Sequence, residues 1–117
     1  DDVFRDVMAR HPDIEGRLMH VDALAARFIS HPHDLDVVVG SNLFGDILTD
    51  IGAVIVGSMG MAPSANLNPT GEFPSMFEPV HGSAPDIAGR GIANPIGQIW
   101  SAAMMLEHLG RPEAHDV

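Results

Sequence analysis

Cysteine, lysine and tyrosine are all missing from these 117 residues. Without cysteine there can be no disulfide, no thiolate metal site and no thiol nucleophile. Without lysine and tyrosine, two common catalytic side chains are gone as well. Positive charge is scarce: six arginines against 16 Asp plus Glu give a formal net charge of −10. That balance opposes a sequence-independent grip on nucleic acid or on an anionic membrane, either of which needs clustered basic residues. The longest apolar runs, near residues 51–56 and 99–106, fall far short of a membrane span, and the start carries no signal-peptide pattern. What is present is an ordinary globular complement of apolar residues, 45%, in a chain near the commonest domain size. A soluble, cytoplasmic globular protein is the expectation. Because the chain opens on Asp1 inside a helical pattern, a piece of a longer protein is expected.

No internal repeat or low-complexity tract occurs. Residues 2–10 place Val3, Phe4, Val7 and Met8 at helical spacing, and His11-Pro12-Asp13 stops the pattern. Residues 14–21 fit a short strand. A helix over 22–30 follows, with Asp22 at its start and His31-Pro32 as its stop. The continuous β-branched run Asp36-Val37-Val38-Val39 suits a strand buried on both faces. Gly40-Ser41-Asn42 supplies a turn and caps, and a helix over 43–56 ends at Gly57. Residues 60–68 and 75–80 read as extended segments around the turn Asn68-Pro69-Thr70-Gly71. Residues 81–90 read as a loop holding one helical turn. A last helix opens at Asn94-Pro95, with Pro95 at its first position, and stops at Gly110-Arg111-Pro112. Its apolar residues Ile96, Ile99, Trp100, Met104, Met105 and Leu106 are expected to face a core. The class is α/β.

Two constellations could carry chemistry. In Asn42-Leu43-Phe44-Gly45-Asp46-Ile47-Leu48-Thr49-Asp50, the helix brings Asp46 and Asp50 to one face, with Cβ atoms about 5–6 Å apart. On an exposed face this repulsion costs only about 0.2–0.5 kcal/mol, and a solvated acidic surface is a sufficient account. In a partly buried site it rises to about 3 kcal/mol at an effective dielectric of about 20. A hard divalent cation, Mg²⁺ or Mn²⁺, is then the natural neutraliser. The apolar neighbours Leu43, Phe44, Ile47, Leu48 and Ile51 favour the buried alternative.

The second constellation is Phe77-Glu78-Pro79-Val80-His81-Gly82-Ser83-Ala84-Pro85-Asp86-Ile87-Ala88-Gly89. Gly82 permits close backbone approach, and Ser83 can cap a turn that offers free N–H groups to an anion such as a pyrophosphate. Asp86 can accept hydrogen bonds from a ribose diol and would repel a 2′-phosphate, which favours NAD over NADP. An ordinary capped surface loop fits the same residues. Gly89-Arg90-Gly91-Ile92-Ala93-Asn94 is not a Rossmann fingerprint, because Asn replaces its last glycine and no strand precedes it. His31-Pro32-His33 reads as surface, and neither a Walker loop nor a nucleophile elbow is present.

Taken together, residues 41–50 and 77–86, with His20-Val21-Asp22-Ala23 and Gly91-Ile92-Ala93-Asn94-Pro95, resemble the isocitrate/isopropylmalate dehydrogenases, the β-decarboxylating dehydrogenases. Ala62-Pro63-Ser64-Ala65-Asn66-Leu67-Asn68-Pro69 looks most like their tartrate and D-malate dehydrogenase branch. The resemblance implies the C-terminal portion of an isopropylmalate dehydrogenase-like two-domain fold. Residues 1–56 would end the central metal-binding and dimer-forming domain, and 57–117 would return to the first, NAD-binding domain. It implies that Asp46 and Asp50 bind Mg²⁺ or Mn²⁺, with Asp22 reaching the metal from the other subunit of a homodimer. Glu78, His81, Gly82, Ser83, Ala84, Asp86, Ile87 and Asn94 would hold NAD. The implied reaction is oxidation of a malate-type 2-hydroxy diacid such as tartrate or D-malate by hydride transfer, with or without loss of CO₂. The family's acid–base Tyr and Lys lie upstream of these motifs, so no catalytic residue of that kind is expected here. The alternative is a non-catalytic metal- or nucleotide-binding fragment, or a regulatory subunit.

Overall fold

A computed structural model describes residues 1–115, which form two compact units, Asp1–Gly40 and the described residues from Ser41 onward. In the first unit, α1 (Asp2–Arg10) begins with acidic Asp2 and ends with basic Arg10, the order that the helix dipole favours. Ion pairs one turn apart, Asp1–Arg5 at 2.9 Å and Asp6–Arg10 at 3.1 Å, run along its surface. Helix α2 (Val21–Ser30) closes with His31 N–H donating to the Arg27 carbonyl. A 3₁₀ turn at Pro32–Asp34 is tied back to α2 by Arg27 and Asp34 at 2.6 Å.

Neither strand expected in this unit forms. Residues 14–20 are irregular, and 36–39 lie outside any ladder, with Val37 86% and Val39 91% exposed. β-branched side chains favour extended backbone, but a strand exists only where a neighbour completes its hydrogen bonds. No such neighbour is found among the described residues.

The second unit opens with α3 (Asn42–Ile55), whose N-cap is Ser41 and whose end is marked by Gly57 at φ 122°. That angle suits glycine and stops the helix close to the expected place. A 3₁₀ turn at Met59–Met61 leads into an antiparallel hairpin of β1 (Pro63–Asn66) and β2 (Met76–Pro79). Its register pairs Ser64 with Glu78 and Ala65 with Phe77. In the connecting loop, Asn68 Oδ1 accepts the Thr70 N–H at 3.1 Å, an Asx turn.

Helix α4 (Ile96–His108) packs on both strands and on the Met59–Met61 turn. Pro95 is its N-cap rather than its first residue. Its end is a Schellman motif: Arg111 N–H donates to the Leu106 carbonyl, and Gly110 N–H, at φ 75°, to that of Glu107.

The expected mixture of helix and sheet is present, and the sheet is a two-stranded antiparallel pair. Burial departs from expectation on both long helices. On α4 the buried residues are Gly97 and Ser101, whereas Ile96, Ile99, Trp100 and Met105 stay exposed, and Met104 and Leu106 are half-buried. Small Gly97 allows the backbone of Gly60 and Ala62, just before the hairpin, to approach α4, so the most buried face of the helix is its small one and not its apolar stripe. On α3 only Leu48 and Ala53 are buried. No helix among the described residues is long and apolar enough to cross a membrane.

Candidate active site

Asp46 and Asp50 stand one turn apart on α3, and both are exposed. The expectation of a partly buried acidic pair is therefore corrected: Leu43, Phe44 and Ile47 are themselves exposed, so nothing withdraws the carboxylates from solvent. Asn42 Nδ2 donates to Asp46 Oδ2 at 3.3 Å, and Thr49 Oγ1 donates to the Asp46 carbonyl at 3.0 Å. The Asp50 carboxylate accepts no hydrogen bond among the described residues, so its lone pairs are open. A Cβ built at neighbouring Gly45 would meet nothing within 4 Å. Exposed as they are, the two carboxylates need no cation on electrostatic grounds, but their open oxygens leave room for an oxygen-preferring divalent cation that keeps several of its waters. No group of three metal-ligating side chains gathers among the described residues. Asp22 belongs to the first unit, where its Oδ1 accepts the Ala23 N–H at 2.8 Å in the first turn of α2.

The second constellation runs from β2 to the start of α4. Glu78 is exposed on β2, across from Ser64. His81 is half-buried, and its Nδ1 donates to the Gly82 carbonyl at 2.9 Å. Gly82 and Ser83 are exposed, and a Cβ at Gly82 would meet open space. Ala84 takes the left-handed conformation at φ 41°, ψ 63°, and caps a 3₁₀ turn, Pro85–Ile87, that carries Asp86 exposed and Ile87 half-buried. The N–H groups of Gly82, Ser83 and Ala84 donate to no acceptor among the described residues. Asn94 Oδ1 accepts the Ile96 N–H at 3.0 Å, which caps α4 and leaves Nδ2 as a free donor. An open glycine, unspent backbone donors and an exposed carboxylate fit the phosphate and ribose of a dinucleotide.

An apolar groove lined by Ile96, Ile99, Trp100, Ala103 and His115 contains none of the candidates. The sequence reading missed Gly60, which touches Asn94 from the Met59–Met61 turn. The signal was a glycine placed between methionines without a turn motif of its own.

Over residues 1–117 the sequence matches the isocitrate/isopropylmalate dehydrogenase family. The chain belongs to that family. It is 57% identical to the tartrate dehydrogenase/decarboxylase of Pseudomonas putida, covering 95% of this chain and 32% of the relative. It is 56% identical to the 3-isopropylmalate dehydrogenase of Thermobifida fusca (strain YX), covering 96% and 32%. The crystal structure of isocitrate dehydrogenase from Methylococcus capsulatus superposes with a TM-score of 0.91 at 44% identity, over 98% of this chain and 33% of that one. The chain thus spans about a third of the length of the curated relatives it matches. The tartrate and isopropylmalate relatives, at 57% and 56%, are nearly equally similar to this chain, so identity over this third does not separate their substrates.

Proposed function

We propose that this chain is part of a cytoplasmic, NAD-dependent and Mg²⁺- or Mn²⁺-dependent dehydrogenase that oxidises a malate-type 2-hydroxy diacid such as tartrate or D-malate. Residues 1–56 would belong to its metal-binding, dimer-forming domain and 57–117 to its NAD-binding domain. What carries the reading is the pair Asp46 and Asp50, exposed one turn apart on α3 in a chain of this family. Their carboxylates hold the cation, and Asn42 Nδ2 keeps Asp46 Oδ2 in place. When bound, the cation would supply Lewis-acid polarisation of the substrate's hydroxyl and carboxylate oxygens, and the dinucleotide would supply the hydride acceptor. Asp22 would complete the metal site from the partner subunit of a homodimer. On the cofactor side, the N–H groups of residues 82–84 bind phosphate, Asp86 accepts from the ribose hydroxyls, and Asn94 Nδ2 donates to the nucleotide.

The test is Mn²⁺ titration of the full-length enzyme by calorimetry, beside NADH production from tartrate, D-malate and 3-isopropylmalate. Replacing Asp46→Asn should weaken Mn²⁺ by at least the roughly 10–100-fold that losing a mere supporting group costs. Activity should fall with it. Unchanged Mn²⁺ affinity in that variant would overturn the metal assignment.

A further inference from the structure

Gly60 sits where the segment leaving α3 meets the start of α4. Its N–H donates to Ser58 Oγ at 3.1 Å, which fixes the Met59–Met61 turn. A Cβ built on Gly60 would fall 2.9 Å from the Cβ of Asn94 and 3.5 Å from its carbonyl oxygen. On the other side, a Cβ on Gly97 would fall 3.0 Å from the Gly60 carbonyl oxygen and 3.2 Å from that of Ala62. Gly60 is thus wedged between Asn94 and the first turn of α4. Gly97 is buried, and one turn on, Ser101 is 1% exposed, with Oγ donating to the Gly97 carbonyl at 2.8 Å.

Asn94 is held at two points. Its Oδ1 is committed to the Ile96 N–H, and its Cβ lies against Gly60. Asn94 is exposed, and its Nδ2 donates to no acceptor among the described residues. A methyl at position 60 would strike the stem of Asn94, not the far end of a flexible chain, so the amide must move or lose its cap.

We propose that Gly60 is a positioning residue for dinucleotide binding, which sets the direction of the Asn94 amide by allowing the turn at 59–61 to close against it. The proposal rests on the dinucleotide reading of residues 78–94. Gly60 itself touches no cofactor; it acts through Asn94.

A double-mutant cycle in the full-length enzyme tests it, with NADH affinity read by fluorescence titration, Mn²⁺ affinity by calorimetry and folding by circular dichroism. G60A should weaken NADH about three- to tenfold, the size of one lost hydrogen bond, with Mn²⁺ affinity within about twofold of the parent. N94A should weaken NADH by a similar factor. G60A/N94A should bind no more than about twofold more weakly than N94A, because the amide that Gly60 directs is already gone. An unchanged NADH affinity in G60A overturns the proposal. So does a full G60A penalty in the N94A background, or an equal loss of Mn²⁺ affinity, since either marks a general structural defect. If G60A does not fold, G60A/N94G should, because it removes the Cβ that the new methyl meets; failure of both overturns the proposal. A folded parent that binds no NADH overturns the dinucleotide reading itself, an outcome separate from any of these.

Discussion

In residues 1–40, α1 carries ion pairs along its own surface, Arg27 reaches only to Asp34, and no side chain is buried. In residues 41–117, α4 lies across a hairpin, and Leu48, Ala53, Gly97 and Ser101 are withdrawn from solvent. The first unit is shaped by contacts between residues near in sequence. The second depends on pairings that span much of its length, such as Pro63 with Pro79 and Gly60 with Gly97. Local signals suffice for a helix, whose hydrogen bonds close within four residues. They do not suffice for a strand, and the β-branched run at 36–39 stays without a ladder. All the dinucleotide candidates and two of the three metal candidates lie in the unit with long-range packing. Side chains that must face a ligand in a fixed direction need such a frame.

Three substitutions in the full-length protein sharpen the contrast. Leu48→Ala removes the largest buried side chain of the second unit, 3% exposed, and should cost about 2–5 kcal/mol in urea denaturation. Hydrogen exchange should show that loss on α3 but not on α1; equal loss on both would mean that the units are not independently held. Asp86→Lys lies on the surface of the same unit and should leave stability within about 0.5 kcal/mol. It should weaken NAD about 10–100-fold, the range for a hydrogen bond to a charged group, and improve NADP use. Unchanged cofactor preference in steady-state kinetics would remove Asp86 from the ribose site. The smallest effect belongs to the first unit. Arg27→Ala breaks an ion pair whose side chains are 29% and 49% exposed, and should cost no more than about 1 kcal/mol by thermal melt. A larger cost would show that this pair organises more than its own turn.

Much of this was legible in the chain. Helix starts and stops came from proline, glycine and capping residues, and the four helices lie within a residue or two of expectation. Both strands fall inside the extended segments expected on either side of the turn at 68–71, although nothing in the sequence paired them. What could not be read was which face each helix buries. Apolar spacing on α4 pointed to Ile99 and Trp100, yet contact is made by Gly97 and Ser101, because closeness of approach there depends on small side chains. The chemistry of α3 was legible as two aspartates a turn apart, but their exposure was not, since hydropathy states a preference for burial without supplying a cover. Gly60 was invisible for a related reason. Its importance lies in a contact 34 positions away, and nothing in its own neighbourhood announces it.

Ala84 has a consequence for the thermodynamics of binding. An alanine held left-handed carries about 1–2 kcal/mol of backbone strain that glycine would avoid. Alanine also explores fewer conformations than glycine in the unfolded chain, so less entropy is lost in ordering it. If the N–H groups of residues 82–84 bind phosphate as proposed, that smaller ordering cost is met when the protein folds, and less of the ligand's binding free energy is spent on ordering the loop.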